Sequence, residues 1–142
     1  MLVLVDLDGT ISDSRWRDDL AETKQWDEYH SQLGNDPPIK PMIALINCLV
    51  KGGANVIGLT GRPERWHQLT IDWLLAHDVK LEEVWYRPDE NYMKVSELKP
   101  EIAKEIMAMY PGEDNVVIID DNEYVCKAMR ENGIVALTVG LC

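Results

Sequence analysis

The sequence predicts an α/β domain built on a mostly parallel sheet, and three observations carry that reading. Short apolar runs alternate with longer helical patterns along the 142 residues. That alternation encodes a helix-covered parallel sheet, because each parallel crossover needs a helix. Two runs, Leu2–Val5 and Val116–Ile119, are continuously apolar instead of alternating, as in strands buried on both faces. The length and the hydrophobic fraction of 46% suit one domain with a packed core.

Taken in order, strands are expected at Leu2–Val5, Asn55–Leu59, Glu83–Trp85, Val116–Ile119 and Ile134–Val139. Met42, Leu45, Ile46 and Leu49 recur at helical spacing before Gly52-Gly53. Trp66, Leu69, Trp73 and Ala76 form a second stripe. Ile102, Ile106 and Met109 form a third, with Pro100 expected in its first turn. Val125, Ala128, Met129 and Asn132 form a fourth, stopped by Gly133. Residues 12–39 break the rhythm. They read as a small insert near the site, with one polar helix from Asp18 to Leu33 ended by Gly34-Asn35-Asp36-Pro37-Pro38. The whole, 1–142, is expected to be a single domain.

Composition narrows the function classes. Lys+Arg 14 against Asp+Glu 25 gives a net charge of −11, which opposes binding along a nucleic-acid duplex. No run approaches the length of a membrane span, and no basic leader precedes Leu2, so neither a span nor a signal peptide is expected. Cys48, Cys126 and Cys142 form no metal-binding spacing. Cys48 and Cys126 fall in helical patterns and read as small core residues. Reduced thiols point to the cytoplasm. His30, His67 and His77 are expected to have surface or packing roles.

Chemistry concentrates at three strand ends: Asp6-Leu7-Asp8-Gly9-Thr10, Thr60-Gly61-Arg62 and Asp120-Asp121-Asn122. Parallel strands would bring all three to one sheet edge, where open α/β sheets bind ligands. Strand alternation would put Asp6 and Asp8 on one face. An ordinary Asp-Gly turn also accounts for Asp8-Gly9. Adjacent carboxylates at Asp120-Asp121 repel unless a cation lies between them, and Mg²⁺ takes such oxygen ligands together with substrate phosphate. Thr60, the Gly61 N–H and the Arg62 guanidinium suit phosphate oxygens, with a helix start capped by Thr60 as the alternative. Five of the six arginines, Arg15, Arg17, Arg62, Arg65 and Arg87, follow or terminate the first three strands, which predicts a locally positive mouth.

The ordered set resembles the haloacid-dehalogenase (HAD) superfamily of phosphotransferases. Asp6-Leu7-Asp8-Gly9-Thr10 looks like its first motif, Thr60 its second and Asp120-Asp121 its fourth. Within it the chain is most similar to the 3′-phosphatase domain of phage-type polynucleotide kinases, through Trp26-Asp27, Thr60-Gly61-Arg62-Pro63, Arg87-Pro88-Asp89 and Asp120-Asp121. No GxxxxGK[ST] occurs, so no attached kinase domain is expected. For the third-motif lysine, Lys99 matches the family spacing better than Lys94. Where related phosphatases carry Asp, Arg and Asp before that lysine, this chain has Asn91, Met93 and Val95.

The resemblance implies a three-layer HAD-like fold with a minimal cap and Mg²⁺-dependent phosphomonoester hydrolysis through an aspartyl-phosphate. It makes Asp6 the nucleophile and Asp8 the acid and base. Mg²⁺ would be held by Asp6, Asp8 (through its backbone carbonyl) and Asp120 or Asp121. Thr60, Gly61 and Lys99 would bind the transferring phosphoryl, with Arg62, Arg87, Arg15 and Arg17 around it. The implied substrate is a nucleic-acid 3′-phosphate end or a phosphorylated nucleotide. A 5′-nucleotidase on small nucleotides is the rival enzyme. A receiver-like module would need a phosphoacceptor Asp after Glu83–Trp85, where Tyr86-Arg87 stand, and a non-catalytic phospho-ligand binder would usually lack Asp6.

Overall fold

Each apolar run forms a strand because it is sandwiched between helices. In the computed structural model, which describes residues 1–141, the strands are β1 (Leu2–Val5), β2 (Asn55–Pro63), β3 (Glu83–Arg87), β4 (Val116–Asp120) and β5 (Val135–Thr138). They form one sheet of order β3-β2-β1-β4-β5, and every pairing is parallel. The helices are α1 (Asp18–Glu22), α2 (Trp26–Ser31), α3 (Lys40–Lys51), α4 (His67–Ala76), α5 (Val95–Ala108) and α6 (Glu123–Glu131). Alternate residues of β1 feed opposite cores. Leu2 and Leu4 pack with Leu98, Ile102 and Ile106 of α5 and with Val125 and Met129 of α6. Val3 and Val5 pack with Ile43 and Ile46 of α3 and with Trp73 and Leu74 of α4. A fully buried aliphatic side chain contributes roughly 1.5–3 kcal/mol, so β1 is held strongly from both sides.

The chain leaves central β1 toward β2 and β3, then crosses to β4 on the other flank. The carboxyl ends of β1 and β4 therefore border the crevice of the topological switch. Val5 pairs with Ile119, which sets Asp6 and Asp120 side by side at that crevice.

Several expected elements differ in detail. β2 continues through Thr60-Gly61-Arg62-Pro63, with a register shift between Leu59 and Pro63, so Thr60 is a strand residue and no helix cap. α5 begins at Val95, so Pro100 lies inside the helix and Lys99 more than one turn from its start. The proline ring removes one intrahelical N–H donor there. Of the stripe expected in α3, Ile46 is buried and Met42 and Leu49 pack against the core, but Leu45 is exposed and Ile43 is buried in its place. Cys48 is exposed on the same helix, while Cys126 is buried; Cys142 lies outside the described residues. The insert is not one helix. It is α1 and α2 flanked by 3₁₀ turns at Arg15–Arg17 and Leu33–Asn35, broken where Lys24 adopts φ 57°. That break turns α2 back over Arg17. The two ends of the insert meet through a Ser12–Pro38 bridge, and buried Ile11 and Leu33 anchor it to the core. No helix among the described residues is long and apolar enough to cross a membrane.

Candidate active site

The loop after β1 is wound tightly around one carbonyl. The N–H groups of Thr10, Ile11 and Ser12 all donate to the Leu7 oxygen, at 3.1, 2.9 and 3.0 Å. Gly9 adopts φ +80°, and a Cβ there would lie 2.2 Å from Asp121 Oδ2. Glycine is therefore needed both for the turn and for the approach of the β4 loop. The turn sends Asp6 and Asp8 to different partners.

Asp6 joins an acidic group. It is buried at the end of β1, and its N–H donates to Ile119 O at 2.9 Å. Carboxylate oxygens of Asp6, Asp120 and Asp121 lie within 4.8 Å of one another. Buried Lys99 reaches in from α5, and its Nζ donates to Asp6 Oδ1 at 2.7 Å and Asp120 Oδ2 at 2.6 Å. Three carboxylates thus face one ammonium. Burial, then the charge of Asp120, raises the Asp6 pKa well above the ordinary value, although Lys99 opposes this. Burial and Asp120 also raise Asp121. One ammonium does not balance three carboxylates, and a hard divalent cation that takes oxygen ligands fits this donor set.

Asp8 joins a balanced group. Arg62 grips it bidentately, Nε to Oδ2 at 3.0 Å and Nη2 to Oδ1 at 2.7 Å. Arg17 Nη2 also donates to Asp8 Oδ1, at 2.7 Å. Arg17 holds Asp36 through Nε at 2.8 Å and Nη2 at 2.6 Å, and its guanidinium lies 4.0 Å from the Tyr29 ring centroid. Ser12 and Thr70 accept further donors of Arg62. Burial alone would raise the Asp8 pKa, but Arg62 and then Arg17 overcome it and hold it well below the ordinary value.

The expected positive mouth is therefore corrected. Arg17 and Arg62 are buried with their forks on carboxylates. Arg15 pairs with Asp13, and Arg65 with Asp27 and Asp89. Arg87 donates to the carbonyls of Gly61, Asn91 and Met93, which ties the β3–α5 loop to β2. Thr60 is fully buried beside the site and accepts the Arg62 N–H at 3.1 Å. Gly61 approaches Val95 closely; a Cβ there would meet its Cγ2 at 3.2 Å. Exposed Lys94 precedes α5 and is not in the acidic group, whereas Lys99 is at its centre.

Sequence reasoning missed Asp36 and Tyr29. Asp36 was hidden in a Gly-Asn-Asp-Pro-Pro stretch that reads as a turn. His30 is buried, stacked between Trp26 and Trp66, with centroids at 6.2 and 6.3 Å. Burial lowers its pKa to about 4, so it is neutral at pH 7. Its position in a polar helical segment did not show which of the two expected roles, surface or packing, it would take.

The model of the polynucleotide kinase PNKP phosphatase domain family matches residues 1–141. Comparison with the curated proteins gives no match. Among solved structures, a chain of a Pnkp1/Rnl/Hen1 complex superposes with a TM-score of 0.76 at 23% identity, over 97% of this chain and 45% of that one. A second, from the Pnkp1/Rnl/Hen1 RNA repair complex, matches over 42% of its length, so this chain spans less than half of either. A hydrolase from Streptococcus pneumoniae TIGR4 is similar at TM-score 0.67 and 13% identity, over 98% and 92% of the two chains. A predicted phosphatase from Clostridium acetobutylicum is similar at TM-score 0.70 and 16% identity, over 96% and 83%. The sheet and flanking helices are thus those of HAD hydrolases, and the family match over residues 1–141 makes this chain a member of the polynucleotide kinase phosphatase-domain family, phosphoric monoester hydrolases of the HAD type.

Proposed function

We propose that the chain is a Mg²⁺-dependent phosphomonoesterase acting through an aspartyl-phosphate at Asp6, on a nucleic-acid 3′-phosphate end or a phosphorylated nucleotide. One observation carries this reading: Asp6 stands at the switch crevice with Lys99 at 2.7 Å and two further carboxylates within 4.8 Å. An Asp6 oxygen attacks phosphorus, and the ester P–O bond breaks. The leaving oxygen takes a proton from Asp8. Water then attacks the same phosphorus and gives its proton to Asp8. The P–O bond to Asp6 breaks, which restores the carboxylate and releases inorganic phosphate. Asp8 can serve both halves because the second reverses the proton flow of the first. Lys99, the Thr60 hydroxyl and the Gly61 N–H hold the phosphoryl group. Asp6, the Asp8 carbonyl and Asp120 or Asp121 would hold Mg²⁺, which would supply positive charge against the phosphoryl oxygens, where catalysis is mostly positioning and neutralisation.

Arg62 and Arg17 favour ionised Asp8, the state that accepts a proton from water, and disfavour the state that donates one. Leaving groups that need little protonation should therefore react faster than alkoxides. The test is phosphate release from 3′-phosphorylated oligonucleotides, 3′-nucleotides, 5′-nucleotides and sugar phosphates under identical conditions, with Mg²⁺ or excess EDTA. Full activity in EDTA, or no preference for nucleotide substrates, would overturn the corresponding part of the proposal. Hydroxylamine trapping of a phosphorylated protein tests the covalent step.

A further inference from the structure

The chain contains five Trp, five Tyr and no Phe. Six of these aromatics, Tyr29, Trp66, Trp73, Trp85, Tyr86 and Tyr110, are buried or half-buried. The other four are exposed: Trp16 and Trp26 at 49%, Tyr92 at 90% and Tyr124 at 78%. All four lie on segments that leave the carboxyl ends of strands. Trp16 and Trp26 are in the insert after β1, Tyr92 is in the β3–α5 loop, and Tyr124 is three residues beyond Asp121. Tyr124 is in the first turn of α6 and Trp26 opens α2, so among the described residues each exposed aromatic follows the carboxyl end of a strand or begins the helix after it.

Two further features bear on this rim. Its exposed guanidinium groups, Arg15 and Arg65, already pair with Asp13, Asp27 and Asp89. Together with a net charge of −11, this leaves little to attract backbone phosphates. Trp26 is also pre-positioned. It stacks on buried, neutral His30, and its ring meets the Tyr29 ring edge-on at 5.7 Å. Tyr29 lies against Arg17, which donates to Asp8. The platform thus begins at the acid/base group and ends in solvent.

We infer that Trp26, Tyr92 and Tyr124 are specificity-determining residues that stack the unpaired bases of a single-stranded nucleic acid whose terminal phosphate is at Asp6. The inference rests on the phosphatase reading above and extends it to the part of the substrate that does not react. Aromatic faces hold any base, and stacking needs no positive charge, which suits an acidic chain with its arginines already paired.

The test compares kcat/KM for a single-stranded hexanucleotide 3′-phosphate with that for ribose 5-phosphate, in the wild type and in Trp26→Ala, Tyr92→Ala and Tyr124→Ala. Each variant is scored by the ratio of the two substrates, so that losses common to both cancel. The expected result is a ratio lowered about 5- to 100-fold for each stacked base, mainly through KM, with Trp26→Phe and Tyr→Phe variants retaining the wild-type ratio. The log–log dependence of oligonucleotide KM on salt should be shallow, with a slope magnitude of about 1 or less. A wild type that prefers the oligonucleotide, with all three alanine variants keeping that preference, overturns the stacking inference and leaves the nucleotide reading standing. A wild type with no preference overturns both.

Discussion

The two halves of the site both set aspartates against basic side chains, yet they reach opposite electrostatic ends. Around Asp8, two carboxylates (Asp8 and Asp36) meet two guanidinium groups (Arg17 and Arg62), all hydrogen-bonded. Around Asp6, three carboxylates meet one ammonium. The first group is complete in the folded chain, and the Asp8 pKa is held down. The second is short of positive charge, and the Asp6 and Asp121 pKa values are pushed up. A balanced buried network positions a group rigidly, whereas one with excess carboxylates favours the uptake of a cation. The backbone separates them with one tight turn around Leu7.

The largest expected effect comes from breaking the acidic half at the reacting atom. Asp6→Asn should abolish turnover while the chain stays folded, since an amide is a poor nucleophile. Retention of more than about a tenth of wild-type kcat, a barrier change below roughly 1.4 kcal/mol, would falsify the covalent mechanism. Breaking the balanced half should act on stability. Arg17→Met leaves Asp36 buried without its bidentate partner and should cost about 3–5 kcal/mol in denaturant unfolding; a loss under about 1 kcal/mol would show that the network does not hold the insert.

The lysines sharpen the contrast next. Lys99→Ala removes the only ammonium from the acidic group and should reduce activity far more than Lys94→Ala, whose side chain lies outside it. Equal losses would remove Lys99 from the phosphoryl site. Mg²⁺ should then stabilise the chain by about 2.7 kcal/mol at 100 times its Kd, and Asp121→Ala should shrink that increment. A melting temperature indifferent to Mg²⁺ would contradict the cation site.

The smallest effect is the pH dependence of that increment. A carboxylate whose folded pKa is raised contributes stability below its unfolded value of 3.8 that is lost as pH rises through the folded pKa. Asp6 and Asp121 should therefore weaken the metal-free protein progressively above pH 4. Asp8, with its lowered pKa, works oppositely: its contribution is present above pH 3.8 and is lost below it. His30 adds stability that is lost as pH falls from 6.5 toward about 4, because the unfolded chain protonates first. Asp8 and His30 are common to metal-free and metal-bound protein. The difference between the two, measured by thermal melts, should thus grow from pH 5 to pH 8. A flat difference would place the metal elsewhere.

The five strands, their parallel arrangement and the gathering of Asp6, Thr60 and Asp120 at one edge were legible in the chain itself. Continuous apolar runs leave few alternatives to a doubly covered sheet, and polar residues directly after such runs must emerge at its end. Lys99 was legible through a family spacing, although its helix starts earlier than Pro100 suggested. What the arginines do was not legible. Arg17, Arg62, Arg65 and Arg87 mark a locally positive mouth when read along the chain, yet in the fold each meets a carboxylate or carbonyl contributed from far away, as Arg62 meets Asp8 across 54 positions. A side chain's type limits what it can bind. Which partner it binds depends on distances set only when the insert closes over β1 and β2, and low local dielectric then makes that choice decisive. Local pattern thus determined the scaffold and the edge where the candidate site gathers, while tertiary closure alone decided which of its charges are satisfied and which are left unbalanced.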